Sequence, residues 1–245
     1  MSTPHIGTTQ GEAGLSQRRS LALALAVAFL PLPVVLTAVV LEPSGPATAT
    51  ASPPDRAPVS AIPPMVPEAP PVDVARKELS ALVIEAPHSM DGYSREEFQH
   101  WVEDQWPRTQ EVVLHRDGKQ VGASQAQTAS KQWHSPYDDR ILTTRSDVHV
   151  DHVVPLADAW RSGADEWSPA RRHKFANDLS TTQLIAISVV ANRSKGDQSP
   201  DQWVPPNTAY HCVYGRAWTH VKFTYGLSVT PKEKDALNSL LDTCS

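Results

Sequence analysis

The chain has 245 residues, two of them cysteine, and its formal net charge at pH 7 is -5. This acidic balance excludes binding to nucleic acid through overall charge, because such binding depends on clustered lysine and arginine. The two cysteines are not spaced as C-x-x-C, which excludes a zinc finger or zinc ribbon.

The N-terminal part of the sequence predicts export. Residues 1–17 are polar, and in the segment 18–41 two arginines precede an apolar run from Leu21 to Leu41. Basic residues before an apolar run are typical of a signal peptide, and this run is also long enough to cross a bilayer. We therefore expect an extracellular protein, either secreted after cleavage or anchored through residues 21–41 to the outer face of the cytoplasmic membrane.

A linker is predicted to connect this segment to one folded domain. Residues 42–72 are rich in Pro, Ala, Ser and Thr, a composition that cannot bury apolar surface and favours an extended chain. The remaining residues, 73–245, are enough for one domain with a hydrophobic core. The two cysteines of this domain, Cys212 and Cys244, are expected to form a disulfide in an exported protein.

The first half of the domain gives weaker patterns. Apolar residues at helical spacing predict a helix over 73–86, which Pro87 ends. Ser94, with Glu97 three residues later, predicts a capping box at the start of a second helix. Short strands are expected at 111–115 and 137–144.

From residue 147 onward the patterns are sharper. Val148 and Val150 alternate with polar residues, which predicts a strand that ends in a turn, and Leu184–Val190 predicts a second strand. Between them, helices are expected at 157–160 and from Pro169 to Phe175. Two further helices are predicted at the C-terminus, one over Tyr210–Phe223 and one that Thr230 caps and that leads to Cys244.

Asp151 and His152 are the first candidate catalytic pair. A neutral imidazole can take a proton from water near pH 7, and a carboxylate is a hard ligand for Mg²⁺. Neighbours on a strand point to opposite faces, so we expect the turn at Pro155 to bring both groups to one cleft. Alone, such a pair is more often a surface accident than an active site.

A second polar group follows the second predicted strand. Asn192 offers a neutral oxygen to a metal ion, while Arg193 and Lys195 can bind phosphate oxygens. They end a stretch, 171–195, in which five cations accompany a single acid, Asp178. This stretch is the candidate basic patch for an anionic substrate, although a solvated face is its simpler interpretation.

Taken together, these segments resemble the HNH, or ββα-metal, endonucleases. The region from about 73 to 245 is similar to exported proteins of actinobacterial type, which are related to the C-terminal domain of GmrSD-type modification-dependent restriction enzymes. Cys212 and Cys244 match cysteines of the exported relatives. The resemblance rests on the segments Gly92–Phe98 (GYSREEF), Val150–Leu156 (VDHVVPL), Ser162–Ala164 (SGA), Phe175–Asp178 (FAND), Asn192–Asp197 (NRSKGD) and on Trp203.

The resemblance implies an α+β fold with a ββα-metal core at 147–197, embedded in a mostly helical domain. It implies that Asp151 and Asn192 bind one divalent ion and that His152 is the general base. The middle position of the motif, normally Asn, is Gln183 here, which we expect to orient the loop that carries the base. Asn177 could take that role instead, or could simply cap a turn.

The sequence thus predicts an exported, metal-dependent endonuclease that cuts DNA, rather than RNA, with little sequence preference. Mg²⁺ is the favoured ion, Mn²⁺, Zn²⁺ and Ni²⁺ are also compatible, and no small-molecule cofactor is expected. Two alternatives remain open. One is a non-catalytic module that binds nucleic acid or the cell surface, and the other is a different envelope hydrolase, for which the sequence places no second carboxylate for glycosidic chemistry.

Overall fold

The computed structural model describes residues 67–101, 108–121 and 130–245. Within these ranges the chain forms seven α-helices and five β-strands, so the predicted α+β class is confirmed. The helices are α1 (Val72–Ala81), α2 (Thr109–Asp117), α3 (Leu156–Arg161), α4 (Pro169–Ala176), α5 (Val189–Lys195), α6 (His211–Tyr225) and α7 (Pro231–Leu241). The strands are β1 (Gly118–Val121), β2 (Ser130–Ser135), β3 (Arg140–Leu142), β4 (Val148–His152) and β5 (Leu184–Ser188).

The strands form two small antiparallel sheets. One contains β1, β2 and β3 in that order, and the other pairs β4 with β5. In the second sheet Val148 lies opposite Ser188, and His152 lies opposite Leu184. The helices α3 and α4 are inserted between these two strands, and α5 follows β5 directly. This arrangement brings the ends of β4 and α5, which are distant in sequence, to the same region.

Local sequence signals explain why β5 passes at once into α5. The Ser188 side chain accepts a hydrogen bond from the backbone N–H of Ala191 (3.0 Å), which satisfies one of the free donors at the helix start. Gly196 ends the helix with a positive φ of 56°, a backbone conformation that glycine adopts without strain. The sequence therefore fixes the position of Asn192 on a short, capped helix rather than in a loop.

The helices α1, α6 and α7 form a helical layer that contributes to the main hydrophobic core. Leu79, Trp218 and Leu237 are buried where these helices meet. The start of α7 has the predicted capping box, in which Thr230 accepts from the N–H of Glu233 and the Glu233 carboxylate accepts from the N–H of Thr230.

The predicted disulfide joins the last two helices. Cys212, near the start of α6, is bonded to Cys244, just beyond α7, with 4.9 Å between their Cα atoms. The bridge closes a loop of sequence separation 32. It ties the C-terminal end of the chain to the helical layer.

Two local predictions were wrong. The strand expected at 111–115 is the helix α2, whose Val113 and Leu114 are buried against the β4–β5 sheet. Tertiary packing outweighs the strand preference of its β-branched residues. The helix expected to begin at Ser94 is only a 3₁₀ turn, Arg95–Phe98, because the Glu97 carboxylate bonds Arg172 (2.9 Å) rather than the capping position.

Boundaries also shifted at other elements. The first helix ends at Ala81, since Ile84 pairs instead with Val229 in an extended bridge. Of the predicted strand 137–144, only Arg140–Leu142 is extended. The folded domain begins before residue 73, because Ala69 is buried and its carbonyl accepts a hydrogen bond from Arg216 (2.5 Å).

The predicted export segment, 18–41, and most of the predicted linker lie outside the described residues, so both stay predictions. In the part of the chain that the structure describes, none of the helices has the length and apolar character needed to cross a membrane.

Candidate active site

Three of the sequence-predicted residues line one cavity. Asp151 and His152 at the end of β4 and Asn192 on α5 border a cavity of about 300 Å³. Asp151 and His152 are neighbours on a strand, yet both reach this cavity because the chain turns immediately after His152. The other residues at the cavity wall include Tyr93 and Arg95 from the 3₁₀ turn region.

His152 has a defined tautomer. Its Nε2 lies 2.9 Å from the carbonyl oxygen of Ala176, and a carbonyl only accepts, so Nε2 carries the hydrogen. The lone pair is therefore on Nδ1. Burial, together with the nearby charges of Arg95 and Lys195, lowers the pKa of His152 to about 3, so the ring is neutral at physiological pH. The neutral, oriented ring has the free lone pair that a general base needs, although a pKa this far below neutral makes it a weak base.

A short segment covers His152 and leaves it 4% exposed. The ring of Trp101 lies 5.4 Å from the His152 ring, and that of His100 lies 6.2 Å away. Gln99 and Trp101 both have positive φ, 41° and 58°, which is unfavourable for residues other than glycine. This covering segment was not predicted from the sequence, because its conformation depends on contacts with the end of α4.

Asp151 is neutralised by a buried lysine. The Lys195 ammonium lies 2.9 and 3.0 Å from the two carboxylate oxygens of Asp151, and it also donates to the His152 carbonyl (2.8 Å). Tyr137 donates a further bond to Asp151 (3.0 Å), and burial raises the pKa of this phenol well above its usual value, so it remains a donor.

Lys195 is fully buried, and its ammonium is committed to Asp151 and to a backbone carbonyl. This placement does not allow the phosphate contact that the sequence analysis assigned to it. The position of Lys195 could have indicated its pairing with Asp151, because it lies in the last turn of α5 and its long side chain extends back under β4.

Asn192 contacts a histidine that the sequence analysis missed. Its Nδ2 lies 3.1 Å from Nδ1 of His149, so the amide donates, the ring accepts and the amide oxygen is left for another partner. Burial lowers the pKa of His149, and the charges of Arg193 and Arg145 lower it further. His149 lies two residues before Asp151 on β4, so strand alternation could have identified it as a neighbour on the same face.

Gln183 pins the turn that follows His152. It is fully buried, its Nε2 donates to the carbonyl of Val154 (2.8 Å), and its Oε1 accepts from the N–H of Val154 (3.1 Å). Its backbone carbonyl accepts from Val153 (2.8 Å). The amide therefore holds the loop after the candidate base, which is where the sequence analysis expected it to act.

Asn177 caps a turn rather than taking the role of Gln183. Its side chain donates to the carbonyls of His173 (2.9 Å) and Gln99 (3.3 Å) at the end of α4. It does not touch His152, which is instead held by the preceding residue, Ala176. Its contact with Gln99 connects α4 to the covering segment.

The predicted basic patch does not form one exposed surface. Arg172 is buried and bonded to Glu97, while Arg171 stacks over Trp167 at 4.4 Å and donates to the Tyr225 carbonyl (2.6 Å). Arg193 is exposed and close enough to His149 to lower its pKa. Of the two predicted phosphate ligands, only Arg193 is placed to meet a substrate.

The donors at the cavity suit one hard or borderline divalent ion. They are the Asp151 carboxylate and the Asn192 amide oxygen, which together supply a single negative charge. In the described ranges, no group of three or more His, Cys, Asp or Glu side chains is arranged to hold a metal. Any ion at this cavity would thus depend on the neutral amide of Asn192.

Comparison with known proteins identifies the family of this chain. Residues 100–240 match the family model described as "GmrSD restriction endonucleases, C-terminal domain". An "Uncharacterized secreted protein" of Arthroderma benhamiae is 48% identical over 184 residues, which cover 74% of this chain and 90% of the relative. No solved structure matches.

The matched region contains β4, β5 and α5, with Asp151, His152 and Asn192, while Tyr93 and Arg95 at the cavity wall lie before it. The relative is fungal, and the expected actinobacterial type therefore stays a prediction. The match extends over more than half of the chain, and this protein belongs to the family of GmrSD restriction endonuclease C-terminal domains.

Proposed function

We propose that this protein is an exported, metal-dependent HNH endonuclease that hydrolyses phosphodiester bonds of DNA with low sequence specificity. The observation that carries the proposal is the state of His152. Its Nε2–H is fixed on the Ala176 carbonyl, its Nδ1 is free to accept a proton, and it borders the cavity of Asp151 and Asn192.

In this proposal β4, β5 and α5 are the ββα-metal core. His152 accepts a proton from water at Nδ1, while the Ala176 carbonyl and the turn held by Gln183 keep the ring oriented. Asp151 and Asn192 would hold the divalent ion. When bound, that ion would supply positive charge for the phosphate and lower the pKa of a water molecule. Exposed Arg193 contacts a phosphate beside this centre.

The proposed location is outside the cytoplasm. The fungal relative is named as a secreted protein, and disulfides such as Cys212–Cys244 persist mainly in oxidising compartments. The apolar run 21–41 would be either the signal peptide or an anchor.

Plasmid nicking by the purified, disulfide-bonded protein tests the proposal. We expect nicking with Mg²⁺ or Mn²⁺ and none with EDTA. His152→Ala is expected to lower the rate about 10²–10⁴-fold, the usual effect of removing a general base, and Asp151→Ala is expected to abolish nicking.

His134→Ala is the matched control. His134 is a half-exposed histidine paired with Asp139 outside the cavity, so the same chemical change there should leave nicking unchanged. A His152→Ala protein that folds and nicks at the wild-type rate would disprove the assignment of the base.

Two observations favour the rival hypothesis of a non-catalytic binding module. Asp151 is already neutralised by Lys195, and the cover over His152 limits access to its ring. Under that hypothesis the wild-type protein binds DNA without any metal-dependent turnover. The same nicking assay, run beside a binding assay, separates the two functions.

A further inference from the structure

We propose that Arg95 is the residue that binds the phosphodiester at this site. The inference rests on the proposed function, because it names the residue that holds the substrate beside His152. Of the cations assigned to phosphate from the sequence, Lys195 is buried in its pair with Asp151. The cations predicted from the sequence to bind phosphate therefore include none that borders this cavity and is free of an ion pair.

Arg95 is placed to supply that charge. It lies on the 3₁₀ turn Arg95–Phe98 and borders the same cavity as Asp151, His152 and Asn192. Its Nε lies 2.7 Å from Nε2 of His100, and the His100 ring lies 6.2 Å from the ring of His152. A phosphate bound to Arg95 would therefore stand next to the candidate base.

The charge of Arg95 has no carboxylate partner. Its Nε donates to Nε2 of His100 (2.7 Å), and among the described residues no Asp or Glu forms an ion pair with it. The neighbouring cations differ, since Lys195 is paired with Asp151, and Arg161 with Asp197 at 2.8 Å. Arg95 is thus the cation at this cavity that an anion can bind without first breaking an ion pair.

The turn that carries Arg95 is firmly held. Phe98 is fully buried, its ring packs near those of Trp160 and Phe175, and Glu97 is bonded to Arg172. Glu97 is therefore turned away from the cavity and cannot neutralise Arg95. Glu96, the other carboxylate of the GYSREEF segment, feels the charge of Arg95 but forms no ion pair with it among the described residues.

The chemistry of the present contact favours exchange for phosphate. The pKa of His100 is lowered to about 4, chiefly by burial, so its ring is a neutral acceptor. A phosphodiester oxygen is an anionic acceptor, and two such oxygens match the fork of a guanidinium. On substrate binding, Arg95 would give up one hydrogen bond to a neutral ring and gain charge-assisted bonds to the phosphate.

Equilibrium binding in EDTA, where no metal-dependent cutting occurs, tests the inference. The probe is a short fluorescein-labelled DNA duplex, and anisotropy is measured over a range of NaCl concentrations. Arg95→Gln should weaken binding about tenfold, the effect of losing one charge-assisted hydrogen bond. It should also reduce the slope of log affinity against log salt by about one, because one phosphate contact is lost.

Two further variants separate substrate contact from other effects. Arg95→Lys keeps the charge, so it should retain the salt slope while losing part of the affinity. Lys77→Gln makes the same change in net charge at a residue whose side chain is 79% exposed on α1, and it should leave binding unchanged. Thermal melts of all variants should match the wild type.

The outcomes also separate this inference from the proposed function. Equal affinity and salt slope for Arg95→Gln and wild type would overturn the role of Arg95, even if nicking by the wild type depends on His152. Conversely, weakened binding by Arg95→Gln with no nicking by the wild type would support Arg95 and refute the nuclease proposal. Failure of the wild type to bind the duplex would overturn the inference.

Discussion

Replacing His152 by Gln should make the free energy of unfolding depend less on pH in the acidic range. The pKa of His152 is lowered to about 3 by burial, whereas an unfolded histidine has a pKa of about 6.5. Between these values the unfolded chain binds a proton at this ring and the folded protein does not. The stability that His152 contributes is thus complete above pH 6.5 and is lost progressively as the pH falls toward 3.

The size of the effect follows from the two pKa values. Each unit of pH between them is worth about 1.4 kcal/mol, so at about pH 4.5 the folded state has lost about 3 kcal/mol relative to neutral pH through this ring. Gln at position 152 keeps a side-chain N–H that can donate to the Ala176 carbonyl, but it does not titrate. The variant should therefore lack this part of the pH dependence.

Urea denaturation of both proteins at pH 7 and at about pH 4.5 measures the difference. Other acidic groups titrate in both proteins and cancel when the two pH-dependent changes are subtracted. His100 is also present in both, although its own titration feels the charge of position 152. If the free energy of unfolding falls by the same amount in wild type and variant, the buried, neutral state assigned to His152 is refuted.

Three other changes test the framework around the site. Lys195→Met should destabilise the protein by about 3–5 kcal/mol, because it leaves Asp151 buried without its counter-ion; a loss below about 1 kcal/mol in urea denaturation would contradict the pairing. Gln183→Leu should lower the free energy of unfolding by about 2–4 kcal/mol, since the N–H and C=O of Val154 lose their partners, and a wild-type denaturation midpoint would show that water replaces them. Reduction of Cys212–Cys244 should lower it by about 3 kcal/mol in the chain-entropy model, and unchanged midpoints with and without reductant would exclude that contribution.

The parts of the fold that sequence analysis predicted are those with strong local signals. β4 was visible from alternation, and α4 and α7 from Ser168 and Thr230 at their starts, because these patterns need no distant partner. The α2 helix was mistaken for a strand, since its Val112 and Val113 have strand propensity, which the packing of this segment against the sheet outweighs. The failed capping box at Ser94 has the same cause, a distant partner, Arg172, that takes the Glu97 carboxylate.

The sequence predicted which residues come together at the site, but not all of the contacts that they make. The cavity brings Asp151, His152 and Asn192 together as the sequence analysis expected. The sequence could not show that Lys195 pairs with Asp151 or that Arg95 is the cation we propose to bind phosphate. Both depend on which cation is buried and which has no carboxylate partner. Burial of a single side chain is set by the packing of several elements, and no residue spacing encodes it.

Gln183 has a consequence for how the strand β4 ends. Its side-chain amide presents one donor and one acceptor to the peptide of Val154, as the next residue of a paired strand would. It thereby acts as an extra peptide unit that continues the ladder for one more step after the backbones have separated. The chain can turn sharply beside the candidate base without leaving buried peptide groups unbonded. Because Gln183 bonds only the main chain of Val154, the Val154 side chain can pack in the hydrophobic core.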